Sequence, residues 1–195
     1  MEIDTNSHSF PRKINEENAS PEIVVTNGSE GKTLKNLNFK ISKGLTVISG
    51  NVGSGKSLLL KIFIQENELS QGNLKITGRI SYASQKPFLF PSTIKHNILF
   101  GSSYDKNRYL EVLQVCDLLT DLNRLEKGDS TIVADQGANL SKGQQARINL
   151  ARAVYKDCDI YLLDDCLAHL DVLVGNFIFE ECLRKFLKDK LVVLS

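Results

Sequence analysis

Alternating and continuous runs of apolar residues predict the strands of an α/β protein. Leu37, Phe39 and Ile41 alternate with polar neighbours, which is the period of a half-buried strand. Continuous apolar runs at Ile160–Leu163 and Leu191–Leu194 are typical of strands buried on both faces of a parallel sheet. Further strands are predicted at residues 23–25 (ended by a turn at 27–29), at 45–48, and at 76–82, interrupted by Gly78.

Apolar positions three and four residues apart predict helices in the second half of the chain. Such spacing occurs within residues 105–119, 141–155 and 174–187, and a short helix capped at Ser92 or Thr93 should end before Gly101. Strands come first, helices follow, and a β-α-β unit ends the chain, which favours an α/β domain with inserted subdomains. Residues 1–20 show neither period and are predicted to be a polar tail or linker, so the domain should span 21–195.

Composition and charge exclude several classes of protein. A chain of 195 residues is long enough for about one domain. With 24 Lys+Arg against 23 Asp+Glu the net charge is +1, which argues against a nucleic-acid partner that needs a broad basic face. No run approaches the length of a membrane span, so we expect no direct membrane insertion by this chain. The four cysteines lack metal-ligand spacing and are expected to be reduced thiols.

Residues 50–57, GNVGSGKS, fit the G-x-x-x-x-G-K-[ST] pattern in full, between a predicted strand and a predicted helix at 58–63. Backbone N–H groups of such a loop surround phosphates, and the helix N-terminus favours negative charge. Lys56 can reach the β- and γ-phosphates, and the Ser57 hydroxyl can bind magnesium. The predicted nucleotide-binding residues are Gly50, Asn51, Val52, Gly53, Ser54, Gly55, Lys56 and Ser57.

Two carboxylates follow the buried run at Ile160–Leu163. A parallel strand would deliver Asp164 to the phosphate edge of its sheet, where it can hold magnesium, and Asp165 could orient an attacking water. Taken alone, the pair would more simply end a strand in solvent. Beside a phosphate loop, the metal-binding interpretation is favoured.

The segment LSKGQ opens the helix predicted at 141–155. Ser141 and Gln144 have capping-box spacing, and Gly143 removes side-chain bulk where the free N–H groups of the helix point outward. This pattern predicts a second phosphate-binding helix start. Capping of the helix without any ligand is the simpler alternative.

LSKGQ resembles the LSGGQ signature of ATP-binding cassette (ABC) transporters, and other motifs occur in the order typical of that family. They are GNVGSGKS, Gln85 within SYASQKPFLF, IYLLDD, and residues 168–171. NILFG and RINLARAVYKD resemble the first nucleotide-binding domain of C-subfamily members, which include the multidrug resistance-associated proteins. The resemblance covers about residues 33–194. It implies an α/β P-loop NTPase of the ABC ATPase type, with an antiparallel β subdomain and a helical subdomain inserted within about 86–155.

In that family, two such domains enclose ATP head to tail and move attached transmembrane domains. The resemblance therefore implies ATP and Mg²⁺ as cofactors. It implies as partners a second ABC nucleotide-binding domain, in the same or another chain, and transmembrane domains, on the cytoplasmic side of a membrane. By position, Gln85 would contact the metal and the attacking water, and Asp165 takes the place of the catalytic glutamate. Ser141, Gly143 and Gln144 would bind the partner's nucleotide, and residues 88–90 would meet the transmembrane domains.

The chain departs from the family pattern at four positions. Asp165 is one methylene shorter than glutamate, and misplacement by about 1 Å can cost about 100-fold in rate. Lys142 replaces the first signature glycine, and Val25 stands near the expected adenine-stacking aromatic residue. The chain reaches Ser195 where the family continues into a switch histidine, so we expect a domain truncated near that loop.

These departures leave two functions open. One is an ATP-binding domain of an exporter with slow or absent hydrolysis, and the other is a non-hydrolysing nucleotide-binding module that regulates a partner. A soluble cassette ATPase of DNA repair or translation is disfavoured because the charge is balanced.

Overall fold

The computed structural model describes residues 20–195, so nearly all of the predicted polar tail lies outside the described residues. The strands are β1 (Glu22–Glu30), β2 (Leu34–Ser42), β3 (Gly44–Val47), β4 (Gln71–Thr77), β5 (Ile80–Ala83), β6 (Ile160–Leu163) and β7 (Leu191–Leu194). The α-helices are α1 (Lys56–Phe63), α2 (Ile94–Leu99), α3 (Lys106–Val115), α4 (Leu119–Arg124), α5 (Lys142–Tyr155) and α6 (Val172–Ile178), which a π-helical segment, Phe179–Phe186, continues.

The strands form two sheets, as the fold-class prediction requires. An antiparallel sheet has the order β2-β1-β4, and a parallel sheet has the order β3-β7-β6-β5. The helices α2 to α5 all lie in sequence between β5 and β6. Within residues 20–195, none of the helices has both the length and the apolar character needed to cross a membrane.

The two central strands of the parallel sheet, β6 and β7, are buried on both faces, which confirms the interpretation of their continuous apolar runs. On one face, Ile160 and Leu162 pack with α1 and the antiparallel sheet. On the other face, Tyr161 and Leu163 pack with α3 and α5. Because successive side chains of a strand point to opposite faces, four consecutive apolar residues serve two separate cores.

The turn predicted at residues 27–29 is wrong, because β1 continues to Glu30. Its pairing with β2 shifts register between Val25 and Gly28, and Asn27 has a φ of 52°. A β-bulge therefore accommodates the turn-prone residues without ending the strand. Asparagine tolerates this left-handed conformation better than most residues do.

Residues 76–82 belong to two strands in different sheets rather than to one interrupted strand. Thr77 ends β4 in the antiparallel sheet, and Ile80 begins β5 in the parallel sheet. Gly78 lies between them with a φ of 117°, a conformation that favours glycine. The glycine therefore marks the point where the chain passes from one sheet to the other.

Side-chain caps begin four of the helices. Thr93, Asp105 and Ser141 each accept a hydrogen bond from the backbone N–H three residues ahead, at α2, α3 and α5. Asp171 caps α6, which begins at Val172, two residues before the predicted start. The helix predicted at 105–119 ends earlier, at Val115, and α4 follows separately.

The four strands of the parallel sheet end at one edge, because all of their pairs are parallel. The phosphate-loop segment follows β3, and Gln85 follows β5. Asp164 and Ser195 directly follow β6 and β7. In open α/β sheets, ligands bind beyond the carboxyl ends of the strands. The fold thus gathers these residues where a ligand site is expected.

Candidate functional site

The phosphate-loop segment folds back around the amine of Lys56. The Lys56 Nζ donates to the carbonyl oxygens of Gly50 at 2.7 Å and Asn51 at 3.1 Å. Lys56 is the first residue of α1, and Gly55 precedes it with a φ of 96°. A Cβ on Gly55 would lie 2.8 Å from the Thr33 side chain, so a larger residue would displace the loop. The loop therefore presents a positive charge together with the N-terminus of a helix.

Asp164 lies within hydrogen-bond distance of Ser57, as the magnesium hypothesis requires. Ser57 Oγ donates to Asp164 Oδ1 at 3.0 Å, and Asp164 is 2% exposed. The lone pairs of the donating hydroxyl remain available to a cation. No three His, Cys, Asp or Glu side chains in residues 20–195 form a metal-binding cluster. An oxygen pair of this kind suits Mg²⁺, which is usually bound by one or two protein oxygens together with nucleotide phosphates and water.

Two residues that the motifs did not indicate complete the surroundings of Asp164. The Tyr82 hydroxyl donates to Oδ2 at 3.2 Å, and the Ser195 hydroxyl donates to Oδ1 at 2.7 Å. Burial, and after it the negative charge of Asp164, raises the pKa of the Tyr82 phenol, so this group stays protonated. Tyr82 lies on β5. In the sequence, only the alternation of residues along that strand could have indicated which face of the sheet its side chain lies on.

Gln85 and Asp165, the two predicted catalytic residues, are in direct contact. The Gln85 Nε2 donates to Asp165 Oδ2 at 3.0 Å. Asp165 has a φ of 49°, and its backbone N–H donates to Ser195 Oγ at 3.1 Å. The carboxylate is partly exposed, and Gln85 is exposed. The pair therefore faces the open edge of the sheet, where water has access.

The segment Ser141–Gln144 forms the complete capping box that the spacing predicted. Gln144 Oε1 accepts from the Ser141 backbone N–H at 2.9 Å, and Gln144 N–H donates to Ser141 Oγ at 3.1 Å. The Lys142 side chain is exposed. A Cβ on Gly143 would lie 3.5 Å from the His169 carbonyl oxygen, so this helix start adjoins residues 168–171. No hydrogen bond joins the capping box to the phosphate loop within residues 20–195.

Residues of the helical region that the sequence did not single out hold this helix start in place. Asp121 Oδ1 accepts from Gln144 Nε2 at 3.0 Å, so both ends of the Gln144 amide are used within the chain. Arg147 lies 2.6 Å from Asp121 Oδ2 and donates to the carbonyl of Asp117 at 2.6 Å. The Arg147 side chain is 12% exposed. A largely buried ion-pair network therefore supports the capping box.

Val25, which stands near the place of the expected adenine-stacking aromatic residue, and Phe88, which is expected to meet transmembrane domains, differ in exposure. Val25 is 2% exposed and packs beneath Gly28, so it offers no surface on which an adenine ring could stack. Phe88 is 63% exposed, whereas Leu89 beside it is buried. Phe88 and Leu89 border a cavity of about 750 Å³ that also reaches Gln85 and Lys142.

The fold and this site define a P-loop nucleotide-binding domain of the α/β class. The family model described as "ABC transporter" matches residues 34–168, and the chain belongs to that family. The chain is 47% identical over 167 residues to the ATP-binding cassette sub-family C member 4 of Homo sapiens, and 46% identical over 166 residues to its counterpart in Mus musculus. Each match covers 85% of this chain, and the chain spans 13% and 12% of the two relatives.

These similarities confirm the assignment to the C subfamily. ABC transporter domains bind ATP, generally with Mg²⁺. The fold-class prediction is confirmed as well, since the chain combines a P-loop domain with one antiparallel and one parallel sheet.

Proposed function

We propose that this chain binds ATP with Mg²⁺ as the nucleotide-binding domain of an ABC-type exporter. The single observation that carries the proposal is the hydrogen bond from Ser57 to Asp164, beside the Lys56 amine at the same sheet edge. Phosphates would take the place of the carbonyl oxygens that Lys56 now contacts. The bound cation would neutralise phosphate charge, and Ser57 and Asp164 would hold it.

The proposed partners follow from two features outside the phosphate loop: the start of α5 and the exposed Phe88 side chain. Ser141, Gly143 and Gln144 would bind the nucleotide held by a second ABC nucleotide-binding domain, at the N-terminus of α5, where the helix dipole favours negative charge. The exposed Phe88 side chain would meet transmembrane domains. The chain would then act on the cytoplasmic side of a membrane, within a transporter.

Hydrolysis is proposed to be slow. Asp165 would polarise an attacking water, and one of its oxygens accepts a hydrogen bond from Gln85. A carboxylate one methylene shorter than glutamate stands about 1 Å further from the water, which costs about 100-fold in rate. Because hydrolysis would be slow, the two domains would stay associated around bound ATP for a long time. The second candidate, a regulatory module without turnover, shares the binding site and lacks only this step.

Nucleotide-binding and single-turnover ATPase measurements on the full chain test the proposal. Lys56→Ala should weaken ATP binding at least 10-fold, because a charged hydrogen bond contributes about 1.5–3 kcal/mol. Lys61→Ala, on the exposed side of α1, is the matched control and should bind as the parent does. Unchanged affinity in Lys56→Ala would refute the phosphate-loop assignment. If the chain binds ATP but forms no ADP in a single-turnover experiment, slow hydrolysis is refuted and the regulatory module is the function that remains.

A further inference from the structure

The Asp164 carboxylate is held by three hydroxyl groups from three parts of the fold. Ser57 lies at the start of α1, Tyr82 on β5, and Ser195 directly after β7. Since Asp164 is 2% exposed, these groups rather than bulk water satisfy its oxygens. Rotation of the carboxylate would break hydrogen bonds to all three segments.

The distribution of these bonds leaves one direction open. A carboxylate oxygen accepts about two hydrogen bonds. Ser57 and Ser195 donate to Oδ1 at 3.0 and 2.7 Å, and Tyr82 alone donates to Oδ2, at 3.2 Å. One lone-pair position of Oδ2 is therefore the part of the carboxylate that these hydroxyls leave free.

Ser195 also connects the two neighbouring carboxylate residues. Its hydroxyl accepts from the Asp165 backbone N–H at 3.1 Å and donates to Asp164. Asp165 has a φ of 49°, a backbone conformation that residues other than glycine, asparagine and aspartate rarely adopt. The serine hydroxyl therefore fixes the backbone of one residue and the carboxylate of the other at the same time.

We infer that Tyr82 and Ser195 are positioning residues for the nucleotide-associated cation: their hydroxyls orient the Asp164 carboxylate and thereby set the affinity for Mg²⁺. The inference rests on the proposed function, in which Asp164 holds that cation. Removing a hydrogen-bond partner behind a metal-binding side chain typically lowers metal affinity 10–100-fold. Each hydroxyl is one of three on Asp164, so we expect a loss of about 10-fold for each.

The test separates metal affinity from nucleotide affinity in the full chain. Mn²⁺ is titrated by electron paramagnetic resonance at saturating adenylyl imidodiphosphate, a non-hydrolysable ATP analogue. A fluorescent ATP analogue is titrated in EDTA. Tyr82→Phe and Ser195→Ala should each raise the Mn²⁺ dissociation constant about 10-fold, at the lower end of the range for such partners. Metal-free nucleotide affinity should stay within about twofold of the parent, because Lys56 and the loop N–H groups are unchanged.

Tyr109→Phe is the matched control. It removes a buried tyrosine hydroxyl that donates to a carboxylate, Asp129, at 3.1 Å, in the helical region rather than at the sheet edge. It should keep parent metal affinity. Ser195→Thr keeps a hydroxyl and should restore what Ser195→Ala loses. A thermal melt of each variant checks folding, since lower stability alone would not change the Mn²⁺ constant selectively.

The outcomes distinguish this inference from the function on which it rests. Parent-like Mn²⁺ affinity in either Tyr82→Phe or Ser195→Ala, while Asp164→Asn loses metal binding, overturns the inference and leaves the proposed function intact. An equal loss in Ser195→Thr and Ser195→Ala also overturns it, since the hydroxyl would not be the cause. If Asp164→Asn keeps full metal affinity, the proposed metal site and the inference fall together.

Discussion

Replacing Arg147 with alanine should destabilise the domain more than any exposed ion-pair mutation. The Arg147 side chain is 12% exposed and lies 3.1 Å from Asp117 Oδ2 and 2.6 Å from Asp121 Oδ2. Asp121 Oδ2 is buried and makes no well-aligned hydrogen bond, so the guanidinium charge is its compensation. Breaking a buried pair costs about 3–5 kcal/mol. Because Asp117 is 33% exposed, we expect the lower value, about 3 kcal/mol.

Urea unfolding, followed by circular dichroism, measures this loss of unfolding free energy. In a thermal melt of a domain of this size, about 3 kcal/mol corresponds to a fall in Tm of roughly 6–12 °C. Arg184→Ala is the matched control. It removes an arginine from an exposed pair with Glu180, and such pairs contribute less than about 1 kcal/mol.

A second variant identifies the cause. Arg147→Ala combined with Asp121→Asn should be more stable than Arg147→Ala alone, because the unpaired charge is gone while the amide still accepts from Gln144. The reasoning is refuted if Arg147→Ala costs no more than Arg184→Ala. A double variant less stable than Arg147→Ala would show that the buried charge is not the source of the loss.

Three further predictions concern other parts of the fold. Asp165→Glu should raise steady-state ATPase turnover by up to about 100-fold in a dimer with a second, signature-competent domain, and an unchanged rate would contradict the short-carboxylate argument. Gly72→Ala should cost about 3 kcal/mol in urea unfolding, since its φ is 89° and a Cβ would lie 2.4 Å from the Asn27 carbonyl oxygen. Gly31→Ala, with a φ of 55° and open space around it, should cost only about 1 kcal/mol, and equal losses would contradict the clash. Burial raises the pKa of the Cys166 thiol to about 12. The thiol of the unfolded chain loses its proton above about pH 9, whereas the folded chain keeps it up to about pH 12. The free energy of unfolding should therefore fall between about pH 9 and 12, and it should fall less steeply in Cys166→Ala. Identical slopes would show that this thiol is not responsible.

Local patterns determined the elements and motifs of this protein. The strand-loop-helix context of residues 50–57, the capping box at Ser141 and the doubly buried strand β6 depend on neighbouring residues, and the structure confirms each of these local predictions. An error arose where strand pairing overrode a local signal. Asn27 and its neighbours have turn chemistry, but a bulge between two paired strands absorbs it, and only the pairing partners decide that outcome.

Long-range contacts decided what surrounds the site. Tyr82 and Ser195 reach Asp164 across 82 and 31 residues of chain, and Asp121 reaches Gln144 across 23. The sequence by itself predicts which residues would bind phosphate, since that depends on the backbone conformation of a few adjacent residues. Only the tertiary structure decided which hydroxyls donate hydrogen bonds to the Asp164 carboxylate. That choice depends on the order of the strands in the sheet, and strand order is a property of the whole fold.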